Sequence, residues 1–230
     1  QLSLMTDKIL SGEIRVDDDD TSVFADHFKV KSTLFNVYNA LPTAGDRHIA
    51  EFFPQFINEN TNWGAQYELR LTNIEDRQGM EMFAKMMIES VLKGETDLKP
   101  FMADISTEAA NKIIRALACN EKYVGIMNLP NRGQISNLPG DVVVETYGVI
   151  DATGTHAITY GDLPAGVQNV IEHHIHQQEM TVDVALTGDR EIALQVLLND
   201  PLSSRLTIPQ ARQLLTELIQ ANKQYLPLFN

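Results

Sequence analysis

Within six residues the chain sets two acids, a guanidinium and an imidazole side by side: Asp46, Arg47, His48 and Glu51, inside Ala44-Gly45-Asp46-Arg47-His48-Ile49-Ala50-Glu51-Phe52-Phe53-Pro54. A carboxylate beside an imidazole can take and return a proton, so Asp46 with His48 and Glu51 is an acid/base candidate. A guanidinium grips a carboxylate or a pair of hydroxyls through parallel donors, and Arg47 places one beside those acids. Gly45 frees the backbone to turn, and Asp46 is the expected N-cap of a helix opening at Arg47. Pro54 cannot donate to the carbonyl four residues back, so that helix is limited to about two turns. A helix start offers free N–H groups and a positive field, where anions and sugar oxygens are welcome. Phe52, Phe53 and Phe56 are expected to bury its far side. The same residues also fit a capped surface helix whose charges are simply solvated.

Two further stretches compete for attention. In Glu172-His173-His174-Ile175-His176, His173 and His176 share a helical face, with Glu172 and Gln177 near and His174 pointing elsewhere. A zinc site needs a third or fourth ligand, so the stretch is read as a polar stripe beside Val170, Ile171 and Ile175, and no metal ligand is assigned. In Asn131-Arg132-Gly133-Gln134-Ile135-Ser136-Asn137-Leu138-Pro139-Gly140, amides that donate and accept at once suit the loop to hydroxyl recognition. The acid run Asp17 to Asp20 lacks the glycine of a calcium loop and reads as solvated. No G-x-G-x-x-G follows a strand and no G-x-S-x-G elbow occurs.

These groups need elements to hold them. Helices are expected over Leu2 to Leu10 and Asp26 to Tyr38. A capping box at Thr72-Asn73-Ile74-Glu75 opens another, with Met80, Phe83, Ala84, Met87, Ile88 and Val91 on one face and Gly94 as its stop; this Met-rich stripe is expected to be core. A further helix follows Ser106, carrying Ile113, Ile114 and Leu117 inward and Cys119 as a small buried residue. Tyr123 to Asn128, Asp141 to Ile150 and His156 to Tyr160 read as three antiparallel strands, the last two joined by Asp151-Ala152-Thr153-Gly154. Val167 to Leu186, Glu191 to Asn199 and Gln210 to Asn222 close the chain as helices. The fold class is α+β, an antiparallel sheet flanked by helices, in a single domain spanning 1–230.

The chain has 230 residues, 31 acidic against 18 basic, for a net charge of −13. Phosphate binding needs clustered Lys and Arg, so nucleic acid and anionic membrane surfaces are disfavoured as partners. No apolar run reaches the length of a membrane span. Cys119 is the only cysteine, which excludes an internal disulfide and fits a reducing, cytoplasmic setting.

Gly45-Asp-Arg-His-Ile-Ala-Glu-Phe-Phe-Pro54 and Asn131-Arg-Gly-Gln-Ile-Ser-Asn-Leu-Pro139, followed by Asp141 to Glu145, resemble family 4 of the glycoside hydrolases. Gly161-Asp-Leu-Pro164, Leu186-Thr-Gly-Asp-Arg190 and Asp200-Pro201-Leu202 support the match, which runs along nearly the whole chain. The resemblance implies a fold related to lactate and malate dehydrogenases, with an N-terminal Rossmann domain that binds NAD and a divalent metal, usually manganese, held by a Cys and a His. Only the C-terminal half of that pattern is matched. Cys119 stands in another context, and His27 only faintly resembles the metal histidine's surroundings. Together with the opening at Gln1, this gives the expectation of a fragment without its Rossmann half, inactive alone, and prone to pair with that half or with itself.

The family's chemistry implies oxidation at C3 of the sugar, removal of the C2 proton, loss of the aglycone, addition of water and return of the hydride. The resemblance places Asp46 as the base at C2, with Tyr38 in reserve, and Arg47, His48 and Asn131 as sugar contacts. The substrates implied are α-glucosides or α-galacturonides. A different class of function, a catalytically silent sugar-binding or assembly module, stays open beside it.

Overall fold

The structure is a computed structural model that describes residues 1–17, 25–99 and 109–229. Residues Asp18 to Asp20 of the acid run, and the start of the helix expected after Ser106, lie outside the described residues. The chain forms two compact units, one from 1–71 with 164–230 and one from 72–163.

In the first unit, α1 (Leu2–Ser11), α2 (Lys29–Tyr38) and α3 (Asp46–Ala50) precede a run of tight turns. Val30, Leu34, Ile49, Ala50, Phe56 and Leu69 form their core, with Tyr38, Phe53, Ile57 and Tyr67 packed on it. The apolar flanks of the 44–54 stretch thus do bury one side of α3. Phe52 departs from that expectation: it is exposed, its ring meeting His174 edge-on at 4.6 Å.

Later in the chain this unit adds three helices, α6 (Ala165–Thr187), α7 (Arg190–Asn199) and α8 (Ile208–Ala221). Ala193, Ile219 and Phe229 are buried among Val184, Leu215 and Leu226. One acid caps α7 and another the short turn Pro201–Ser203 that follows it. Asp189 accepts from the Glu191 and Ile192 amides at 2.8 and 3.1 Å, and Asp200 from the Leu202 amide at 2.8 Å.

The second unit holds α4 (Ile74–Leu92), α5 (Ala110–Cys119) and the antiparallel sheet β1 (Tyr123–Pro130), β2 (Val143–Asp151), β3 (Gly154–Ala157), in that order. Helix α5 covers one sheet face, where Ala116, Met127 and Ile150 are buried with Ile113, Tyr123 and Leu129 around them. The register places Ile126 opposite Tyr147 and Pro130 opposite Val143. Val124, Ile126, Val143 and Tyr147 alternate with the covered residues and are exposed.

Helix α4 corrects an expectation. Its periodic stripe is real, but no residue of the helix is buried, and Met80, Phe83 and Ile88 are exposed. The periodicity identifies a face without supplying anything to cover it. Its cap is Asn73, whose side chain accepts from the Asp76 amide at 2.7 Å, one residue beyond the expected Thr72. Cys119 is likewise exposed rather than buried.

The β2–β3 turn carries an exposed polar knot. Asp151 Oδ1 accepts from the Thr153 hydroxyl at 2.5 Å and the Thr153 amide at 2.8 Å, with His156 Nε2 at 3.2 Å. These contacts, the Thr153 hydroxyl foremost, pull the Asp151 carboxyl down from 3.8 to about 2. A depressed folded value means that the turn's stabilisation is complete above the ordinary value and is lost as pH falls through about 2. An NMR titration of the Thr153 amide is expected to show a midpoint near 2, returning toward 3.8 in Thr153→Ala. A midpoint already near 3.8 in the unmodified protein would refute the knot.

Candidate functional site

Asp46 does not cap its own helix. Gly45 is the N-cap of α3, and no side chain caps it. The Asp46 carboxylate instead reaches back across the sequence to the start of α2, where Oδ2 accepts from the Val30 amide and Oδ1 from the Lys31 amide, both at 3.0 Å. Those are two of the four N–H groups that a helix start leaves without a partner. Phe28, the α2 N-cap, has a left-handed backbone (φ 59°) and makes no side-chain cap bond, so Asp46 takes over that duty from a distance.

The surroundings are dense with charge. Asp46 is 2% exposed and Lys31 is also buried. The Lys31 ammonium lies 2.5 Å from Asp26 Oδ2 and 3.5 Å from the centroid of the Phe28 ring. Asp26 Oδ1 in turn accepts from the Phe28 amide at 3.1 Å. Burial pushes the Asp46 carboxyl up, outweighing the Lys31 and Val30 amides that pull it down; Asp26 pushes with burial and the Lys31 charge against it. Lys31 and Asp26 are members of this cluster that sequence reasoning misses. Their only signal is a lysine among apolar residues in an expected helix.

With Asp46 anchored inward, the next two residues turn toward the surface: Arg47 is half-buried and already engaged by a neighbour, and His48 is exposed. Tyr38 closes α2, half-buried, with its ring 6.1 Å from that of Phe53. A Cβ at Gly166 would stand 3.1 Å from the Tyr38 ring, so glycine permits this close approach. Among the described residues the Tyr38 hydroxyl has no hydrogen-bond partner.

Asn131 lies in the second unit, 2% exposed. Its Nδ2 donates to the carbonyls of Ile135, Leu138 and Pro139 at 2.9, 3.1 and 3.1 Å, and its Oδ1 accepts from the Ile135 amide at 3.1 Å. The side chain therefore organises the 131–140 loop from within. The Gly161 to Pro164 motif braces the same loop: Ser136 donates to the Gly161 carbonyl at 3.0 Å, and the Asn137 side chain exchanges two bonds of 2.9 Å with the Leu163 backbone. Two stretches far apart in sequence are thus one structural device.

His173 and His174 of α6 have different partners. His173 Nε2 donates to the Asn199 carbonyl at 2.9 Å, His174 meets Phe52, and Glu172 accepts from Gln168 at 2.9 Å. Burial, then the neighbouring His173, holds the His174 imidazole below its ordinary pKa. His27 Nδ1 donates to the Val16 carbonyl at 2.9 Å. Among the described residues no three His, Cys, Asp or Glu side chains converge on a possible metal position.

Comparison with known proteins gives this arrangement a family. The chain is 34% identical over 204 residues to the alpha-galacturonidase of Bacillus subtilis (strain 168), covering 88% of this chain and 44% of that protein. It therefore spans about half the length of the curated relatives it matches. The crystal structure of lplD from Bacillus subtilis superimposes with a TM-score of 0.81 at 30% identity, over 94% of this chain and 50% of that one. A 6-phospho-beta glucosidase from Thermotoga maritima, solved with manganese, NAD+ and glucose-6-phosphate, matches at a TM-score of 0.61 and 22% identity. It covers 85% of this chain and 44% of its own, a likeness of fold. The model of the family 4 glycosyl hydrolase C-terminal domain matches residues 4–203, and the chain belongs to that family.

Proposed function

We propose that this chain is the sugar-side part of an NAD- and divalent-metal-dependent glycosidase that cleaves α-galacturonides, with α-glucosides as the second substrate class. The observation that carries this reading is the 34% identity to an alpha-galacturonidase across 88% of the chain. The local geometry supports it. Asp46 fixes α3 against α2, so that a cation and an imidazole are held on a short, rigid helix. Arg47 supplies the planar donors that an acidic sugar's carboxylate takes in a bidentate pair, and His48 supplies a hydroxyl contact.

The described residues offer no metal-binding cluster, and the sequence has no dinucleotide loop. NAD and manganese are therefore proposed on the family likeness alone, with no step of the reaction routed through this chain's own side chains to either. What this chain contributes to the chemistry is a base for the sugar's C2 proton. Two groups are candidates. Asp46 has its pKa raised by burial, which favours proton uptake, yet both its oxygens serve the start of α2. Tyr38 has a hydroxyl without a protein partner among the described residues. We place the proton transfer on Tyr38 and give Asp46 the positioning of Arg47 and His48. Asn131 shapes the 131–140 loop of its own unit from within.

The substrate class is tested on Arg47 in the whole enzyme. Arg47→Lys keeps the charge and loses the fork, so KM for a galacturonide is expected to rise about tenfold, the worth of one charged hydrogen bond. KM for the matching glucoside should rise far less. Equal losses on both sugars would make Arg47 a structural residue and remove the support for an acidic substrate.

A further inference from the structure

Helix α4 carries apolar side chains around its whole circumference. Met80, Met82, Phe83, Met86, Ile88 and Leu92 are all exposed, and at 3.6 residues per turn they point in every direction rather than along one stripe. A helix apolar all round is ordinarily enclosed by protein. Here the core of the unit, built on Ala116, Met127 and Ile150, takes in no residue of α4, and no α4 residue is buried among the described residues. Its 19 residues make a rod about 28 Å long. An apolar surface of that extent marks a contact with another polypeptide.

The charges of α4 are sorted by end. Over 74–83, Glu75, Asp76 and Glu81 stand against Arg77, a net −2; over 84–93, Lys85 and Lys93 stand against Glu89, a net +1. Two pairs lie within the helix, Lys85 Nζ with Glu81 at 2.6 Å and Lys93 Nζ with Glu89 at 3.9 Å. Both are exposed, where an ion pair is worth little, and the imbalance between the ends remains. Acids at a helix start and bases at its end also suit the helix's own field. That accounts for the ends and leaves the bare middle unexplained.

We propose that α4 pairs with the α4 of a second copy of this chain, antiparallel about a two-fold axis near Phe83. A symmetric contact uses one surface on both sides, so that surface has to complement itself. This one does. With the two helices reversed end to end, the acidic half of each meets the basic half of the other, and the apolar middle meets its own copy. A parallel pair sets acid against acid. The methionines suit such a contact, since their flexible side chains adapt to whatever faces them. The net charge of −13 opposes association as a whole, whereas the sorted ends act at contact distance, inside the reach of about 8 Å that charge has at physiological salt. The pairing asks nothing of the sugar chemistry and is independent of it.

Sedimentation equilibrium of the 230-residue chain is expected to show a monomer–dimer equilibrium. Phe83→Gln disturbs no core. Because the side chain counts twice in a symmetric dimer, this variant should raise the dissociation constant about a hundredfold. Lys85→Glu with Lys93→Glu leaves both ends acidic and should cost about tenfold, a gap to the parent that added salt narrows. Orientation is read by single cysteines in a Cys119→Ser background. Ile74→Cys and Leu92→Cys, at opposite ends of the rod, should be joined by a short bismaleimide when the two variants are mixed. Neither should be joined to itself, since like ends lie about 27 Å apart in an antiparallel pair. A monomer at every concentration would overturn the pairing and leave α4 to another polypeptide. A dimer indifferent to Phe83→Gln, or cross-linking of like ends, would overturn it as well.

Discussion

Tyr38→Phe in the whole enzyme is expected to lower kcat by about 10²–10⁴, the usual worth of a positioned general base. Thermal stability should barely change. The variant keeps the ring that packs near Phe53 and removes a hydroxyl that bonds to nothing among the described residues. KM should also hold, since the hydroxyl acts on a proton and not on ground-state binding. The accompanying measurement is exchange of the sugar's C2 proton in deuterated water, which should stop in Tyr38→Phe and continue in Asp46→Asn. Exchange that survives in Tyr38→Phe and stops in a folded Asp46→Asn would hand the base role to Asp46.

Asp46→Asn is expected to act mainly on the fold. The carboxylate offers an acceptor to each of the Val30 and Lys31 amides, whereas an amide offers one acceptor and one donor. One buried N–H of α2 would then face another donor, at a cost of about 2 kcal/mol. The sign with pH follows from the raised carboxyl. A folded pKa above the ordinary 3.8 means that the stability this group adds is complete below that value and is lost as pH rises through the folded pKa. The deficit of the Asn variant should therefore be widest in acid and narrow toward neutral pH. Urea unfolding at a series of pH values reads both statements. No deficit at any pH would dissolve the clamp, and a flat one would remove the burial-driven rise of the carboxyl pKa. In the whole enzyme the same variant should raise KM, because Arg47 and His48 ride on the helix that Asp46 secures.

The elements that local rules govern are legible in the amino-acid sequence by itself. The three strands, the turn at Asp151 to Gly154 and the capped helix after Asn73 follow from alternation, turn residues and caps. What escapes the sequence is long-range. Asp46 carries every mark of an N-cap, and it is one, but for another helix, whose Val30 amide lies 16 positions earlier. Nothing in local spacing distinguishes the two. The Asn131 loop is recognisable as a shaped one from its amides, yet an amide that points inward and one that points outward have the same letter. The Met80 to Val91 stripe shows its period without showing that nothing among the described residues buries it.

The outer face of the sheet has a colloidal consequence. Val124, Ile126, Val143 and Tyr147 make an uncovered apolar patch, and two such patches attract one another across water. Opposing them is a net charge of −13 on every copy, a repulsion that reaches only about 8 Å at physiological salt. Acid neutralises that charge and added salt shortens its reach, so both push the chain in one direction, toward its own kind. At low salt, where its reach is longest, the excess of aspartate and glutamate opposes contact between bare β-sheet surfaces.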